Sequence, residues 1–383
     1  MIIKNAEVYT EEGKFEKRDI FIKDDKFVAT AEEAFFDTAN SQTIDGTGCY
    51  AIPGLIDIHF HGCVGHDFCD GTKEAIDAMA RYEASVGVGV IVPATMTLAE
   101  DTLTQVCRAA KAYRECPLPS DQAELWGINM EGPFIAESKK GAQNQKFLRK
   151  PDAEMFERLN DASGGAVRLV DIAPETEGAM EFIRKEKDVT VLSLAHTATD
   201  YDTAMEAFAN GASHVTHLYN AMNPYTHRAP GLVSAAADAG AEVELICDGV
   251  HIHPSAVRTT FKIFGDDKII LISDSMMATG LEDGEYSLGG QPVKVRGNLA
   301  TLHDGTIAGS ATNLLDCMRT AVLEMNIPIE SAVKCATVNP AKSVGLFDRY
   351  GSMTPGKVAN VVLLKKDGLK TDRILLRGKE ISC

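Results

Sequence analysis

Two histidines stand one residue apart in the segment GLIDIHFHG, which covers residues 54–62. In a β-strand, residues i and i+2 lie on the same face, so His59 and His61 are expected to point in one direction. The apolar run before them is typical of a buried strand, and Pro53 and Gly54 mark a turn at its start. Two neighbouring imidazoles either fill a polar corner of the core or supply two nitrogen ligands to a metal ion.

Histidines and carboxylates also follow other apolar runs of the chain. They are Glu131 in NMEGPF, His196 in SLAHT, His217 in VTHLYNAMN, Asp248 and His251 in ICDGVH, and Asp274 in LISDS. Any one of them alone is expected to be a hydrogen-bonded structural residue, the role that we assign to His214. As a set, imidazoles with a carboxylate are the ligands of a catalytic divalent metal, with Zn²⁺ as first candidate. Asp274 is the candidate general base and acid beside an activated water.

Eight apolar runs of strand-like composition occupy the middle of the chain, separated for the most part by helical stretches. They are LIDIHFH, VGVIVPAT, LWGINMEG, VRLVDIAPE, VTVLSLAHT, SHVTHLYNA, EVELICDG and KIILISDS. Eight strands that alternate with helices predict an α/β protein with a (β/α)₈ barrel of the TIM type. A doubly wound open sheet is the alternative, but its usual glycine fingerprint is missing after the first strand.

The candidate ligands fall at the carboxyl ends of these runs. Six of the eight predicted strands deliver a His, Glu or Asp there. In barrels of this type the chemistry sits at the C-terminal ends of the strands. Scattered core histidines have no reason to choose the same end of successive strands, so we expect one catalytic rim.

The two ends of the chain predict short antiparallel strands. In residues 1–51, apolar and polar positions alternate between charged turns. Residues 355–383 resemble them in the short strand-like segments NVVLLKK and DRILLRGKEIS. We expect these segments to pair as one small β-domain and residues 52–354 to form the barrel. Residues 280–305 predict a hairpin after the eighth strand.

Composition excludes several classes of protein. The 383 residues are 45% apolar, which predicts a sizeable core, and the net charge of −17 argues against a nucleic-acid partner. The nine cysteines form no CxxC pair and suggest no disulfide framework. With no apolar signal core at the start and no run of about 18 apolar residues, we expect a soluble cytoplasmic protein.

The motifs taken together resemble those of a known family. PGLIDIHFHG, with the later strand-end His, His and Asp, resembles the amidohydrolase superfamily of metal hydrolases on a (β/α)₈ barrel with a small β-sandwich. Within it, the chain resembles the N-acetylglucosamine-6-phosphate deacetylases through the segments MEGPF, KKGAQN, LAHTATD, THLYNAMNP, ICDGVHIHP, LISDSM and IAGSATNLLD. The resemblance runs over nearly the whole chain, and the EGPF, HLYNAM and AGS segments together are its most specific part.

The resemblance implies roles for individual residues. Glu131, His196 and His217 would hold the main metal, and Asp274 would be the catalytic acid and base. Sugar contacts would come from Ala142, Asn220 and Ala221, and the far wall of the pocket from Ile307, Ala308, Gly309 and Ser310. His251 and Arg228 would bind the 6-phosphate. Because the arginine reaches in from the neighbouring subunit in relatives, the resemblance also implies a homodimer.

Two positions depart from some bacterial relatives. Those relatives lack the strand-one histidines and use one metal. Because His59 and His61 are present here, the number of bound ions, one or two, stays open. They also carry a histidine where this chain has Gln143, which can donate a hydrogen bond to the substrate but cannot carry a proton. The metal is expected to be Zn²⁺, with Fe²⁺, Co²⁺ or Mn²⁺ as alternatives.

The implied reaction is hydrolysis of an acetamide on a phosphorylated amino sugar, which would release acetate. A hydrolase of cyclic amides is the nearest rival, but it would bring a carboxylated lysine where this chain has Glu131. A nucleobase deaminase on the same fold and a non-catalytic scaffold are the remaining alternatives. Release of acetate rather than ammonia, and the presence of bound metal, would separate them.

Overall fold

The first part of the chain forms short strands, and a computed structural model describes residues 1–34 and 42–381. Along the strand at 20–23, Ile20 and Ile22 are buried while Phe21 and Lys23 are partly exposed, as alternation requires. The elements are β1 (Ile2–Lys4), β2 (Glu7–Tyr9), β3 (Phe15–Lys17), β4 (Ile20–Lys23), β5 (Lys26–Val28), α1 (Ala31–Ala34), β6 (Thr43–Asp45) and β7 (Cys49–Pro53).

The middle of the chain contains the strands of a barrel. This region contains β8 (Leu55–Asp57), β9 (Gly62–Cys63), β10 (His66–Asp67), β11 (Val88–Ile91), β12 (Glu124–Leu125), β13 (Ile128–Met130), β14 (Val167–Ile172), β15 (Val191–Leu194), β16 (His214–Val215), β17 (Glu242–Ile246) and β18 (Ile269–Ile272). β9 and β10 pair with each other as a separate antiparallel hairpin, and β12 leads into β13. Between residues 55 and 272, which are described without a gap, eight strands run parallel: β8, β11 and β13–β18. They are the eight strands that the sequence predicts.

Two sets of backbone hydrogen bonds close the barrel. Asn129 N donates to Pro93 O at 2.9 Å and joins the second strand to the third. Asp274 N donates to His59 O at 2.9 Å and joins the eighth strand to the first. This closed parallel sheet confirms the (β/α)₈ prediction and excludes the open, doubly wound alternative.

Helices follow the barrel strands. They are α2 (Lys73–Ser85), α3 (Glu100–Arg114), α4 (Ala153–Ala162), α5 (Ala179–Glu186), α6 (Tyr201–Asn210), α7 (Gly231–Ala239), α8 (Pro254–Phe264), α9 (Leu314–Leu323), α10 (Ile329–Ala336) and α11 (Val338–Ser343), with single 3₁₀ turns at Phe68–Asp70, Glu137–Lys139 and Gln145–Phe147. The side chains of Thr72, Asp152 and Asp200 cap α2, α4 and α6 by accepting backbone N–H bonds. α7 begins without a side-chain cap at Pro230 and without an acidic residue in its first turn.

An antiparallel sheet follows the eighth barrel strand. It contains β19 (Gly284–Leu288), β20 (Gln291–Arg296), β21 (Leu299–Leu302) and β22 (Ile307–Ser310) in that order. The predicted hairpin at 280–305 is therefore too short, since the segment IAGS pairs as a fourth strand. A bridge between Ser275 and Ser310 attaches this excursion sheet to the end of the barrel.

The last strands return to the first. They are β23 (Val361–Lys365), β24 (Thr371–Leu376) and β25 (Lys379–Ile381), in a sheet of order β25-β24-β23-β7-β2-β3 beside a second sheet of order β5-β4-β1-β6. β7 pairs with β23 over its whole length, with Ile52 opposite Val362. The domain limits at 51/52 and 354/355 stay a prediction, and residues 35–41, 382 and 383 of the small domain lie outside the described residues.

Polar side chains fill part of the barrel interior. Thr216 Oγ1 donates to Asp171 Oδ1 at 2.7 Å, and Ser273 Oγ donates to Asp57 Oδ2 at 2.6 Å. These hydrogen-bonded pairs lie among barrel strands that also supply a buried apolar cluster, which includes Leu169, Ile246 and Ile272. Within the described part of the chain, no helix has both the length and the apolar character needed to cross a membrane.

Candidate metal centre and active-site cavity

The candidate ligands lie where the barrel strands end. Glu131, His196, His217 and Asp274 follow β13, β15, β16 and β18 within two residues, and His59 and His61 follow β8 within four. His196, His217 and Asp274 have φ values of 45°, 31° and 48°, in the left-handed region that is uncommon for residues with a side chain. Such backbone strain clusters at functional sites, where the surrounding structure imposes it.

Glu131, His196 and His217 form a compact triad, called here the inner triad. Glu131 Oε1 lies 2.9 Å from His196 Nε2 and 3.1 Å from His217 Nε2. The two Nε2 atoms lie 3.1 Å apart. All three side chains are buried, and their atoms are close enough to share one metal ion.

His59, His61 and Asp274 form the second, more open group, called here the outer triad. Asp274 Oδ1 lies 3.4 Å from His61 Nε2 and 3.7 Å from His59 Nε2. Glu131 connects the two groups, since its Oε2 lies 3.2 Å from His61 Nε2 and its Oε1 faces the inner triad. One carboxylate therefore lies between two sets of possible ligands.

Two of the four imidazole rings, those of His59 and His196, are oriented by contacts at their other nitrogens. His59 Nδ1 lies 2.9 Å from Glu244 Oε2, and His196 Nδ1 lies 2.8 Å from the carbonyl oxygen of Lys139. These acceptors keep a proton on Nδ1 and turn the Nε2 lone pair inward, as is usual for metal-ligating histidines. His59 Nε2 is buried and has no hydrogen-bond partner among the described residues. The orphaned nitrogen and the convergent donors fit a divalent cation of the zinc class.

The electrostatics of the cluster also favour a cation. Burial disfavours the Glu131 carboxylate, but His61 and hydrogen bonds with His196 and His217 hold its pKa well below the usual range. Burial also disfavours a charged His61, yet Glu131 and Asp274 raise its pKa to about 10. The carboxylates thus stay ionised and stabilise positive charge in this buried space.

Gln143 contacts Glu131 directly. Its Nε2 donates to Glu131 Oε2 at 2.6 Å, and its Oε1 accepts from Thr97 N at 2.6 Å. A second contact of Nε2 reaches Met96 Sδ at 3.7 Å. Both ends of the amide are therefore engaged by the protein, and the side chain holds Glu131 in place.

A cavity of about 320 Å³ opens onto the two triads. Most of the residues with an expected role line it: His61, Glu131, Ala142, Gln143, His196, His217, Asn220, Ala221, His251, Asp274, Ile307 and Gly309. Its volume lies in the range of small-molecule sites. His59 is fully buried behind the wall and reaches the cluster only through Nε2.

Three other expected residues lie off the cavity wall. Ala308 and Ser310 are buried behind it, where Ser310 N donates to Asp274 O at 2.7 Å and helps to fix that turn. Arg228 is exposed on the loop before α7, where it borders a separate depression with Asp200 and Tyr201. Within one subunit, Arg228 therefore does not reach the cavity.

The sequence did not predict the roles of several residues of the site. Glu244 orients His59 and also accepts from His217 N at 3.1 Å, and a glutamate inside a buried barrel strand was the signal that could have revealed it. Asp248, which the sequence did mark among the strand-end residues, holds His251 through its Oδ2, 2.7 Å from Nδ1. The cavity walls also include Met96 and Leu288, which nothing in the sequence marked as special.

Comparison with known proteins matches this architecture. The profile of the amidohydrolase family matches residues 50–380. The chain belongs to the amidohydrolase family. That assignment agrees with histidines, glutamate and aspartate gathered at the carboxyl ends of the barrel strands.

Two curated members of the amidohydrolase family show high similarity. The N-acetylglucosamine-6-phosphate deacetylase of Bacillus subtilis (strain 168) is 37% identical over 372 residues, which are 96% of this chain and 93% of that protein. The N-acetylgalactosamine-6-phosphate deacetylase of Escherichia coli O157:H7 is 33% identical over 330 residues, 85% of this chain and 86% of that protein.

A solved structure of the family superposes over the whole chain. It is a mutant N-acetyl-D-glucosamine-6-phosphate deacetylase from Mycobacterium smegmatis in complex with N-acetyl-D-glucosamine-6-phosphate. The TM-score is 0.91 with 29% identity, covering 100% of this chain and 99% of that one.

Proposed function

We propose that this amidohydrolase hydrolyses the acetamide of N-acetyl-D-glucosamine 6-phosphate to D-glucosamine 6-phosphate and acetate. The observation that supports it most is the arrangement of the two triads around Glu131 on the wall of one cavity. The names of the two curated relatives and of the solved structure support the choice of substrate.

Two metal positions follow from the geometry. The inner triad would hold the main ion, and the outer triad would hold a second ion if two are bound. Imidazole and carboxylate ligands suit Zn²⁺ first and Fe²⁺, Co²⁺ or Mn²⁺ as alternatives. When bound, such a cation polarises a carbonyl oxygen and lowers the pKa of water towards neutrality.

Asp274 would move the proton of the reaction. Burial raises the pKa of Asp274, but a hydrogen bond with His61 and the neighbouring histidines lower it, so the carboxylate is ionised and able to act as a base. It would accept a proton from the attacking water as the new C–O bond forms at the carbonyl carbon. It would then deliver that proton to the nitrogen as the C–N bond breaks, which an amine leaving group requires.

Gln143 would act as a positioning residue in this scheme. Its amide is engaged by Glu131 and Thr97, so we assign it to the orientation of the shared carboxylate rather than to the oxyanion. Asn220, Ala221 and Ala142 would contact the sugar ring from the cavity wall.

The 6-phosphate would bind beside His251 on the cavity wall. His251 is buried, and Asp248 outweighs the effect of burial and raises the pKa of His251, which favours a cationic ring. Arg228 is exposed and off the cavity of its own subunit, which suits a residue that serves a neighbouring one. We therefore propose a homodimer in which Arg228 reaches the phosphate of the partner's site.

A cytoplasmic location and a role in amino-sugar catabolism or cell-wall recycling complete the proposal. Eight cysteines lie in the described part of the chain, and none of them forms a disulfide there. Thiols that stay reduced are typical of cytosolic proteins.

Acetate release from N-acetylglucosamine 6-phosphate is the decisive assay, with metal quantified on the same sample. We expect stoichiometric acetate and at least one divalent ion per chain. The substrates assayed should include N-acetylgalactosamine 6-phosphate and unphosphorylated N-acetylglucosamine. The first tests whether the ring epimer is accepted, and the second tests whether the phosphate is required. Ammonia in place of acetate, or no turnover by metal-loaded protein, would contradict the proposal.

A further inference from the structure

A second cavity lies on the side of the barrel away from the metal centre. It is called here the arginine cavity, has a volume of about 450 Å³, and its lining includes Arg114, Glu124, Trp126, Arg349, Tyr350 and Arg377. β12, which begins at Glu124, enters the third barrel strand at its amino end. Arg377 follows β24, so the cavity joins the barrel to the small sheets.

Two guanidinium groups face the ring of Trp126, which lines this cavity, although only Arg349 of the two lines the cavity itself. The Cζ atoms of Arg168 and Arg349 lie 4.9 Å and 5.6 Å from the centre of the Trp126 ring. Arg349 also binds both oxygens of Glu124, at 3.1 Å and 3.2 Å. The Tyr350 hydroxyl also donates to Glu124 Oε2, so this carboxylate is already engaged by two partners.

Among the described residues, two arginines of the cavity, Arg114 and Arg377, and the neighbouring Arg168 have unused donors. Arg114 is half-buried and forms no hydrogen bond or ion pair there. Arg377 donates through Nη2 to the carbonyl oxygens of Pro119 and Gln122, but its Nη1 is buried without a partner. Arg168 Nε is likewise buried and unpartnered. Buried charged donors without acceptors are costly, and a bound oxyanion would relieve that cost.

The repulsion between these groups points the same way. Burial lowers the pKa of Arg168, and the charge of Arg114 lowers it further. Burial lowers the pKa of Arg114 and of Arg377, and although Glu124 acts on both and Asp25 on Arg377, these carboxylates do not restore the ordinary values. Asp25 and Asp77 also line the cavity, but neither forms an ion pair with an arginine among the residues that the structure describes.

We propose that the arginine cavity is a second, non-catalytic binding site for a small phosphate monoester. The planar forks of Arg114 and Arg377 match phosphate oxygens in pairs, and the volume leaves room for an attached small polar group. The ligand would bridge the barrel and the small sheets, so its binding would stabilise the folded chain. The site is independent of the deacetylase proposal, because none of its residues lines the cavity of the two triads.

Inorganic phosphate is the probe for this site, with binding measured by calorimetry and by thermal unfolding of the full-length, metal-loaded protein. Arg114→Gln is the informative variant, because Arg114 supports no other contact. Arg108→Gln is its matched control, since Arg108 lies exposed on the same helix. We expect Arg114→Gln to lose one phosphate site, or about tenfold or more in its affinity, and Arg108→Gln to behave as wild type.

Arg114→Lys sharpens the test, because it keeps the charge and loses the fork. We expect it to bind phosphate with an affinity between those of wild type and Arg114→Gln, while all three variants hydrolyse substrate at the wild-type rate without added phosphate. Equal phosphate binding by wild type and Arg114→Gln would overturn the proposal. Stronger binding of citrate than of phosphate at the Arg114-dependent site would overturn the choice of a phosphate ligand.

Discussion

Glu131 and Glu83 are glutamates of the same barrel with nearly the same burial and opposite ionisation. Glu131 is 2% exposed and Glu83, on α2, is 0% exposed. For Glu83, burial and the nearby Asp57 carboxyl raise the pKa well above the ordinary value of 4.5. For Glu131, three histidines overcome burial and hold the pKa well below that value.

The comparison shows that the partners, rather than the depth, decide the charge of a buried carboxyl group. In the described residues no histidine, lysine or arginine forms an ion pair with Glu83, whose neighbours are carboxyl and thiol groups. Glu131 faces imidazole nitrogens on both of its oxygens. The first environment keeps a proton on the carboxyl group, and the second prepares a carboxylate for a metal ion.

The largest loss of activity is expected for Glu131→Gln, which removes the carboxylate shared by both triads. We expect acetate release to fall by more than the roughly 10²–10⁴-fold that loss of proton transfer alone produces, together with loss of bound metal. Glu83→Gln is the matched control, because it makes the same change at a buried site off the cavity. Full metal content in Glu131→Gln would refute its place at the centre of the cluster.

Asp274→Asn tests the residue that carries the proton, and its expected loss of activity is the second largest. We expect turnover to fall by about 10²–10⁴-fold, because asparagine cannot accept the proton of water. Metal in the inner triad should remain, since Asp274 is not part of it. Near-normal turnover by the metal-loaded variant would remove Asp274 from the mechanism.

His61→Asn converts the surroundings of Glu131 towards those of Glu83. His61 is the strongest of the charges that lower the pKa of Glu131, so its loss should raise that pKa. When the pH is lowered stepwise, the inner triad of the variant should therefore lose its metal at a higher pH than that of wild type does. The metal content after dialysis at each pH measures this. His66→Asn, at a partly exposed histidine off the cavity, should leave the release profile unchanged.

The smallest effect is expected for Glu83→Gln, and it concerns stability. Because the folded-state pKa of Glu83 is raised, the wild type loses stability as the pH rises above the ordinary value of 4.5 and through the folded pKa. Glutamine has no charge to bury, so the Tm of the variant should equal that of wild type at low pH and exceed it increasingly as the pH rises. A Tm difference that is independent of pH would show that Glu83 is ionised or that another effect dominates.

The barrel and its rim could be predicted from sequence because their signals are local. Strands buried on both faces leave continuous apolar runs, and ligands such as Glu131 and His196 stand directly after those runs. Their convergence then follows from the barrel topology alone.

Other parts of the site depend on contacts that no local pattern reveals. Glu244 lies 185 residues from His59 along the chain, and only the closed barrel brings the two together. Leu288 reaches the cavity because the excursion sheet folds back over the rim, where its fourth strand was not predicted. The arginine cavity likewise combines side chains from α3, the third barrel strand and the last sheet.

The pairing of β7 with β23 sets an order of events during synthesis. β7 ends at Pro53, and its partner begins at Val361, so the ribosome adds about 300 residues between them. At about 5–20 residues per second, one edge of β7 waits roughly 15–60 s for its neighbour. The barrel can therefore form on the ribosome before the small sheet is complete, and the nascent chain carries an open strand edge that chaperones have time to shield.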